Sequence, residues 1–207
     1  MSVTSSQDTQ ELLQLSIGPA CHELRSPLAV VYGFARMLEG ADNLDDAAIA
    51  KYVGQIVRSA ERLDTMLDDL SKIGRIAAAR MHPQTEFVPL RAIIDDLGAT
   101  SANESRLRVD AGPDVSIKAD PAWLTESLQA TIDGLCFEEG IDVHLTWRHG
   151  PHDVQIHIVP NSSFPMVDVE PDKSGLNISL ARMRIVAMGG GYEGSGDRIV
   201  ITMPRTP

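Results

Sequence analysis

Apolar residues recur along the first third of the chain at the spacing of a helical seam. Over residues 17 to 38, Ile17, Leu24, Val31 and Leu38 hold one heptad position, and Ala20, Pro27 and Phe34 hold the other. From residue 45 to about 78 the rule returns, with Ile49, Ile56, Leu63, Leu70 and Ala77 in one register and Tyr52, Met66 and Ile73 in the second, where Ser59 is the only polar member. Two long amphipathic helices are predicted. The segment Gly40-Ala41-Asp42-Asn43-Leu44-Asp45 between them is short and has turn chemistry, so the helices fold back as an antiparallel hairpin. A lone hairpin has only one shared seam, whereas two hairpins side by side form a four-helix bundle that dries all the stripes. The pattern therefore predicts a homodimer.

The heptad stops around Met81-His82-Pro83-Gln84-Thr85, which marks a domain boundary. Beyond it, residues 141–147 alternate Ile, Val, Leu and Trp inward with Asp, His and Thr outward, and residues 154–158 do the same after His149-Gly150-Pro151-His152. That is a β-hairpin, in a register placing His144 opposite His157 and His149 opposite His152. Residues 121–135 and 176–188 have helical spacing, the second closed by Gly189-Gly190-Gly191; Gly194-Ser195-Gly196 reads as loop and residues 198–203 as a last strand. The predicted class is α+β: a polar tail over 1–10, a helical hairpin over 11–80 that dimerises into a four-helix bundle, and a small α/β sandwich over 81–207 with helices on one face of a sheet. Trp123 and Trp147 belong to its core.

Composition narrows the function. The 207 residues are 43% hydrophobic and 23% charged, a globular mix. Eighteen Lys and Arg against 29 Asp and Glu give a net charge of −11, which repels nucleic acid and anionic lipid. Residues 1–80 carry 8 basic and 11 acidic side chains and residues 81–207 carry 10 and 18, so most of the excess lies in the second domain. Two cysteines, Cys21 and Cys136, are too few for a disulfide framework or a four-thiolate zinc site and fit a reducing compartment. No apolar run approaches the roughly 18 residues that span a bilayer, and residues 1–10 lack the basic start of a signal peptide, so the expected location is the cytoplasm, with no membrane partner. The four hairpin histidines lack carboxylate or thiolate companions at ligand spacing, and no metal site is expected.

The chemistry concentrates in Cys21-His22-Glu23-Leu24-Arg25-Ser26-Pro27-Leu28, inside the first helix. His22 falls opposite the seam, where a partner protein can reach it, and an imidazole with the ordinary pKa of about 6.5 is mostly neutral and nucleophilic near pH 7. Glu23 can orient the ring or accept its proton. Ser26 lies one turn on, on the same face. Pro27 lacks an N–H and crowds the carbonyl of Glu23, bending the helix and, with Arg25, shaping a docking site. Gly18-Pro19 marks a kink or a late helix start.

This octet resembles the H-box of bacterial two-component histidine kinases, His-Glu-Leu-Arg/Lys-Ser/Thr-Pro-Leu. The likeness runs on through Ala29-Val30-Val31-Tyr32-Gly33 and into Arg58-Ser59-Ala60-Glu61-Arg62-Leu63 and Leu67-Asp68-Asp69-Leu70. The resemblance implies a dimerisation and histidine-phosphotransfer domain with His22 as phosphoacceptor and Glu23 as its acid/base partner. Ser26 would stand where family members place the residue used in dephosphorylating a partner. Residues 81–207 resemble the family's ATP-binding domain, with its signatures eroded. Ala119-Asp120-Pro121-Ala122-Trp123-Leu124 looks like the approach to the N-box, whose two asparagines would fall at Ala130 and Gly134. The adenine-binding Asp-x-Gly-x-Gly box aligns with Pro160-Asn161-Ser162-Ser163-Phe164, and the last glycine box reads Gly175-Leu176-Asn177-Ile178, with Asn177 at its central glycine. Residues 160–175 are too few for the usual lid over ATP.

The resemblance is closest to histidine phosphotransferases built on the kinase scaffold. It implies a phosphorelay protein that carries a phosphoryl group on His22 to and from receiver-domain aspartates, the receiver supplying magnesium and no cofactor being held by this chain. An autophosphorylating kinase with a divergent ATP site, and a non-catalytic pseudokinase that binds a receiver or a kinase, are the alternatives. No sensor segment is evident in the 207 residues, so the signal is expected to arrive through partners or another polypeptide.

Overall fold

A computed structural model describes residues 3–40, 44–100, 106–110, 112–135, 141–161, 175–195 and 198–205. Helix α1 runs over Val3–Glu39 and contains both Pro19 and Pro27. The expected tail over 1–10 and the late start at Gly18-Pro19 are both corrected: helix is already present at Val3. No glycine or proline precedes Gly18, and each residue added to an existing helix gains a hydrogen bond, so polar residues suffice to extend it. Helix α2, Asp46–Ala77, starts on Asp45, whose carboxylate accepts from the Ala48 amide at 2.7 Å. It ends with Arg80 N donating to Arg75 O at 2.8 Å and Ala79 N to Ile76 O at 3.0 Å, and Ala79 adopts φ 52°. This closure favours glycine, so Ala79 is held there at a cost.

The hairpin has one buried stripe and one open stripe. Ala20 and Pro27 on α1 and Met66, Ile73 and Ala77 on α2 are buried, and Phe34 stacks on Tyr52 with ring centroids 5.3 Å apart. The other stripe stays open: Ile17 is 50%, Leu28 56%, Ile49 40%, Val53 44% and Leu67 54% exposed.

The second domain follows as β1 (Glu86–Pro89), α3 (Leu90–Thr100), β2 (Leu107–Val109), β3 (Ser116–Ala119), α4 (Pro121–Leu135), β4 (Val143–His149), β5 (Asp153–Pro160), α5 (Leu176–Ala187), β6 (Gly191–Ser195) and β7 (Arg198–Pro204). Strands β1 and β3 form an antiparallel ribbon, and the main sheet has the order β2-β4-β5-β7-β6 with only β2 and β4 parallel. The inward residues Val143, Leu145, Trp147, Val154, Ile156, Ile158, Ile199, Ile201 and Met203 are all buried, as alternation requires of a sheet wet on one face. Trp123 and Trp147 are in the core, as expected. Asp120 caps α4 through the Trp123 amide at 3.1 Å and also accepts from Gln84 N at 2.7 Å, fastening the chain that leaves α2.

Two details differ from the sequence reading. The hairpin pairs Thr146 with His157, His144 with Val159 and His149 with Val154, so the histidines are not opposite one another. Gly150 N donates to Asp153 O at 2.9 Å, which leaves Pro151 and His152 as the central turn residues and shifts the register by two. Residues 191–195, taken as loop at both ends, form edge strand β6: its Tyr192 is buried and meets Thr131 Oγ1 at 3.1 Å, one large side chain anchoring an otherwise glycine-rich strand.

The domain boundary breaks the chain pattern without breaking the core. Helix α5 packs on α4, α1 and α2, so Leu12, Ala20, Met66 and Ile73 of the hairpin belong to the same apolar cluster as Leu176, Leu180 and Met183. Among the described residues no helix is long and apolar enough to cross a membrane.

Candidate functional site

The buried stripe of α1 carries Leu12, Ser16, Ala20 and Pro27 at helical spacing. That stripe fixes the rotation of the helix and hence the direction of the octet. His22, Arg25 and Ser26 are exposed, with His22 and Ser26 one turn apart on one face, while Glu23 is half-buried. Pro27 is buried within the inner stripe, and Arg25 is accessible. Cys21 is exposed and free. Cys136 lies outside the described residues.

Glu23 leans toward the second domain. Its Oε2 accepts from the backbone amide of Leu176, the first residue of α5, at 3.1 Å. The opening amides of a helix have no partner within it, and a carboxylate there is favourable by about 0.3–1 kcal/mol through the helix dipole. Here the carboxylate comes from 153 positions earlier in the chain. Asn177 Oδ1 accepts from its neighbour Ile178 N at 2.9 Å, an amide that also donates to Gly175 O at 3.0 Å. A Cβ on Gly175 would lie 2.8 Å from Asn177 Oδ1 and 2.9 Å from Glu23 Oε1, so a glycine is what lets both groups close over the helix end. The phrase Gly175-Leu176-Asn177-Ile178 flagged this turn in the sequence; nothing in the sequence pointed to Glu23 as its partner.

The other positions aligned with nucleotide signatures are equally filled. Ala130 is half-buried on α4. A Cβ on Gly134 would lie 2.9 Å from Ile178 Cδ1, so the glycine makes room for α5 against α4. Asp133 accepts from Gln129 Nε2 at 2.7 Å. Of the third box only Pro160 and Asn161 fall within the described residues, and Asn161 ties β5 back to Asp142 through Oδ1 to the Asp142 amide at 3.1 Å.

Several titratable groups away from the octet are tied into the fold. Arg184, 6% exposed, pairs with Glu126 and lies 6.0 Å from the Trp123 ring centroid. Burial pushes the Tyr192 phenol up to about 12, against the smaller opposing effect of its hydrogen bond to Thr131. Desolvation, then the charges of Arg148 and Arg198, lower the pKa of His157. His144 Nε2 lies 3.0 Å from Asp110. Among the described residues no three His, Cys, Asp or Glu side chains gather as metal ligands.

Comparison with known proteins places this geometry. Residues 18–79 match the His Kinase A (phospho-acceptor) domain family, which covers the octet and the whole of the hairpin's second helix. The hairpin is thus a His Kinase A domain, and the chain is homologous to two-component sensor histidine kinases. It is 22% identical to the sensor protein DivL of Caulobacter vibrioides over 96% of its own length and 29% of that protein's. Its fold matches the Acinetobacter baumannii histidine kinase AdeS with a TM-score of 0.66 at 18% identity, covering 89% of this chain and 97% of that one. It also matches the histidine kinase ThkA, solved in complex with the response regulator protein TrrA, with a TM-score of 0.60 at 19% identity over 90% of this chain and 60% of that one. The chain spans 28% to 37% of the length of the curated relatives it matches. The predicted hairpin followed by a small mixed sheet domain is the fold of this kinase family.

Proposed function

We propose that this protein is a histidine phosphotransfer protein of a phosphorelay, with His22 moving a phosphoryl group to and from the aspartates of response-regulator receiver domains. The observation that carries the reading is a contrast. His22 is open to a partner, whereas the α5 N-terminus, which resembles the family's phosphate-binding glycine box, is filled by Glu23 and Asn177. With Ala130 and Gly134 in place of the N-box asparagines and Ile178 packed where a side chain at 134 would begin, these residues do not fit a nucleotide and its magnesium.

In the transfer, the unprotonated ring nitrogen of His22 attacks phosphorus in line. A P–N bond forms as the P–O bond to the receiver aspartate breaks, and the departing carboxylate keeps the electron pair. Glu23 takes or holds the proton of the other ring nitrogen, and the reverse step returns it. The receiver's acidic pocket supplies magnesium to neutralise the phosphoryl oxygens. Ser26, on the same face, stands beside the reacting group, and Arg25 meets the receiver surface. The complex of ThkA with its response regulator supports a receiver as partner. The exposed apolar residues Ile17 and Leu28 on α1 and Ile49, Val53 and Leu67 on α2 leave a face of the hairpin uncovered and support a homodimeric four-helix bundle. We place the protein in the cytoplasm with its receivers.

The histidine kinases among its relatives favour one second reading, an autophosphorylating kinase with a divergent nucleotide site. Equilibrium binding of ATP with magnesium separates the two. The relay reading predicts no binding at micromolar nucleotide and no labelling of His22 from ATP; micromolar binding with label lost on His22→Ala would establish the kinase.

A further inference from the structure

We propose that the bond from Leu176 N to Glu23 is a latch between the two domains, which must open before His22 can use Glu23 as its proton acceptor; this inference rests on the reading of His22 as phosphoacceptor. The carboxylate sits over the start of α5: Oε2 accepts from the Leu176 amide at 3.1 Å, and Oε1 lies beside Gly175, 2.9 Å from where a Cβ there would be. A carboxylate held by the positive end of a helix, at the half-buried junction of α1 and α5, is committed to that helix and is not free to follow the imidazole. The same contact ties the second domain to the hairpin beside the reacting histidine. A partner that docks on the exposed His22 face and draws Glu23 toward the ring therefore also loosens α5, and undocking of α5 arms His22. The device is two-state: latched, with Glu23 on α5, and open, with Glu23 on His22.

The sequence supplies the perturbation that tests it. Gly175 has φ −57°, so alanine is tolerated by the backbone, and its added Cβ would crowd only the ends of two flexible side chains, Glu23 and Asn177. Gly175→Ala should therefore open the latch without touching His22. Two measurements on the full chain read the result, and neither needs a receiver. Amide exchange at Leu176 reads the latch itself: it should rise about tenfold in Gly175→Ala and in Glu23→Ala, as expected when a hydrogen bond to a charged group is lost. Phosphorylation of His22 by phosphoramidate reads the consequence: its P–N bond breaks, ammonia leaves and a new P–N bond forms on the ring, at a rate that should rise severalfold to tenfold in Gly175→Ala but not in Glu23→Ala. Unchanged Leu176 exchange in Glu23→Ala would overturn the latch, as would faster exchange in Gly175→Ala with no gain in His22 phosphorylation. Failure of the relay reading looks different: His22 is labelled by phosphoramidate, with the Gly175→Ala gain intact, but takes nothing from a phosphorylated receiver.

Discussion

Restoring the family's N-box asparagine at Gly134 should damage this protein. Gly134 lies in the last turn of α4, and the Cβ of any other residue would sit 2.9 Å from Ile178 Cδ1 and 3.4 Å from Ile178 Cγ1, with Ile178 only 8% exposed. Asparagine adds three more heavy atoms beyond that contact. Overpacking of this kind costs about 1–3 kcal/mol. Replacing glycine in a helix returns about 0.3 kcal/mol when the newcomer is asparagine. The net loss of roughly 1–2.5 kcal/mol corresponds, at about 2–4 °C per kcal/mol for a chain of this size, to a fall in Tm of roughly 2–10 °C. Thermal unfolding at matched protein concentration reads it, since a dimer's Tm moves with concentration. The cause is checked by Ile178→Val, which removes the clashing Cδ1. Alone it should cost about 0.5–1.5 kcal/mol, but in the Gly134→Asn background it should cost nothing or stabilise, a coupling of about 1 kcal/mol or more. Additive losses, or a Tm unchanged by Gly134→Asn, would refute the claim that this glycine is kept by packing of α5 on α4.

Other consequences follow from single contacts. Ala79→Gly should stabilise by about 0.5–1 kcal/mol in denaturant titration, because Ala79 closes α2 at φ 52°. Tyr192 holds its proton more tightly folded than unfolded, so its contribution is complete below pH 10 and is lost as pH rises from 10 toward about 12, up to about 3 kcal/mol; Tyr192→Phe should flatten that alkaline decline in stability. Glu126→Ala leaves the buried Arg184 without its carboxylate and should cost about 1–3 kcal/mol, whereas Arg184→Met should be near neutral, as thermal melts of the two will tell. Val53→Glu, on the exposed apolar face of α2, should turn the proposed dimer into a monomer by sedimentation while leaving the helical circular dichroism in place.

What the sequence discloses here depends on the range of the interaction. The heptad rule located both helices of the hairpin, and period-two alternation located β4, β5 and β7, because each depends on residues a few positions apart. Helix α4 was bounded at Pro121 and Leu135 by the same local logic. The register of the hairpin was missed by two residues because Gly150 and Asp153, rather than His149 and His152, close the turn. Strand β6 was missed because its pairing belongs to β7 and its anchor, Tyr192, is a single residue with a partner 61 positions away. At the site the octet was legible, as was the departure of the nucleotide boxes. The Glu23 contact to Leu176 was not, since it joins residues that only the packing of α5 against the hairpin brings together.

The central claim is that His22 exchanges phosphate with a receiver aspartate. A receiver domain phosphorylated with labelled acetyl phosphate and freed of excess donor, then mixed with this protein and magnesium, tests it most directly. The account predicts acid-labile, base-stable label on this chain within minutes, absent in His22→Ala and returned to the aspartate of an unlabelled receiver added afterwards. A panel of receivers from the source organism that leaves the wild-type chain unlabelled, while each retains or hydrolyses its own phosphate, would contradict it.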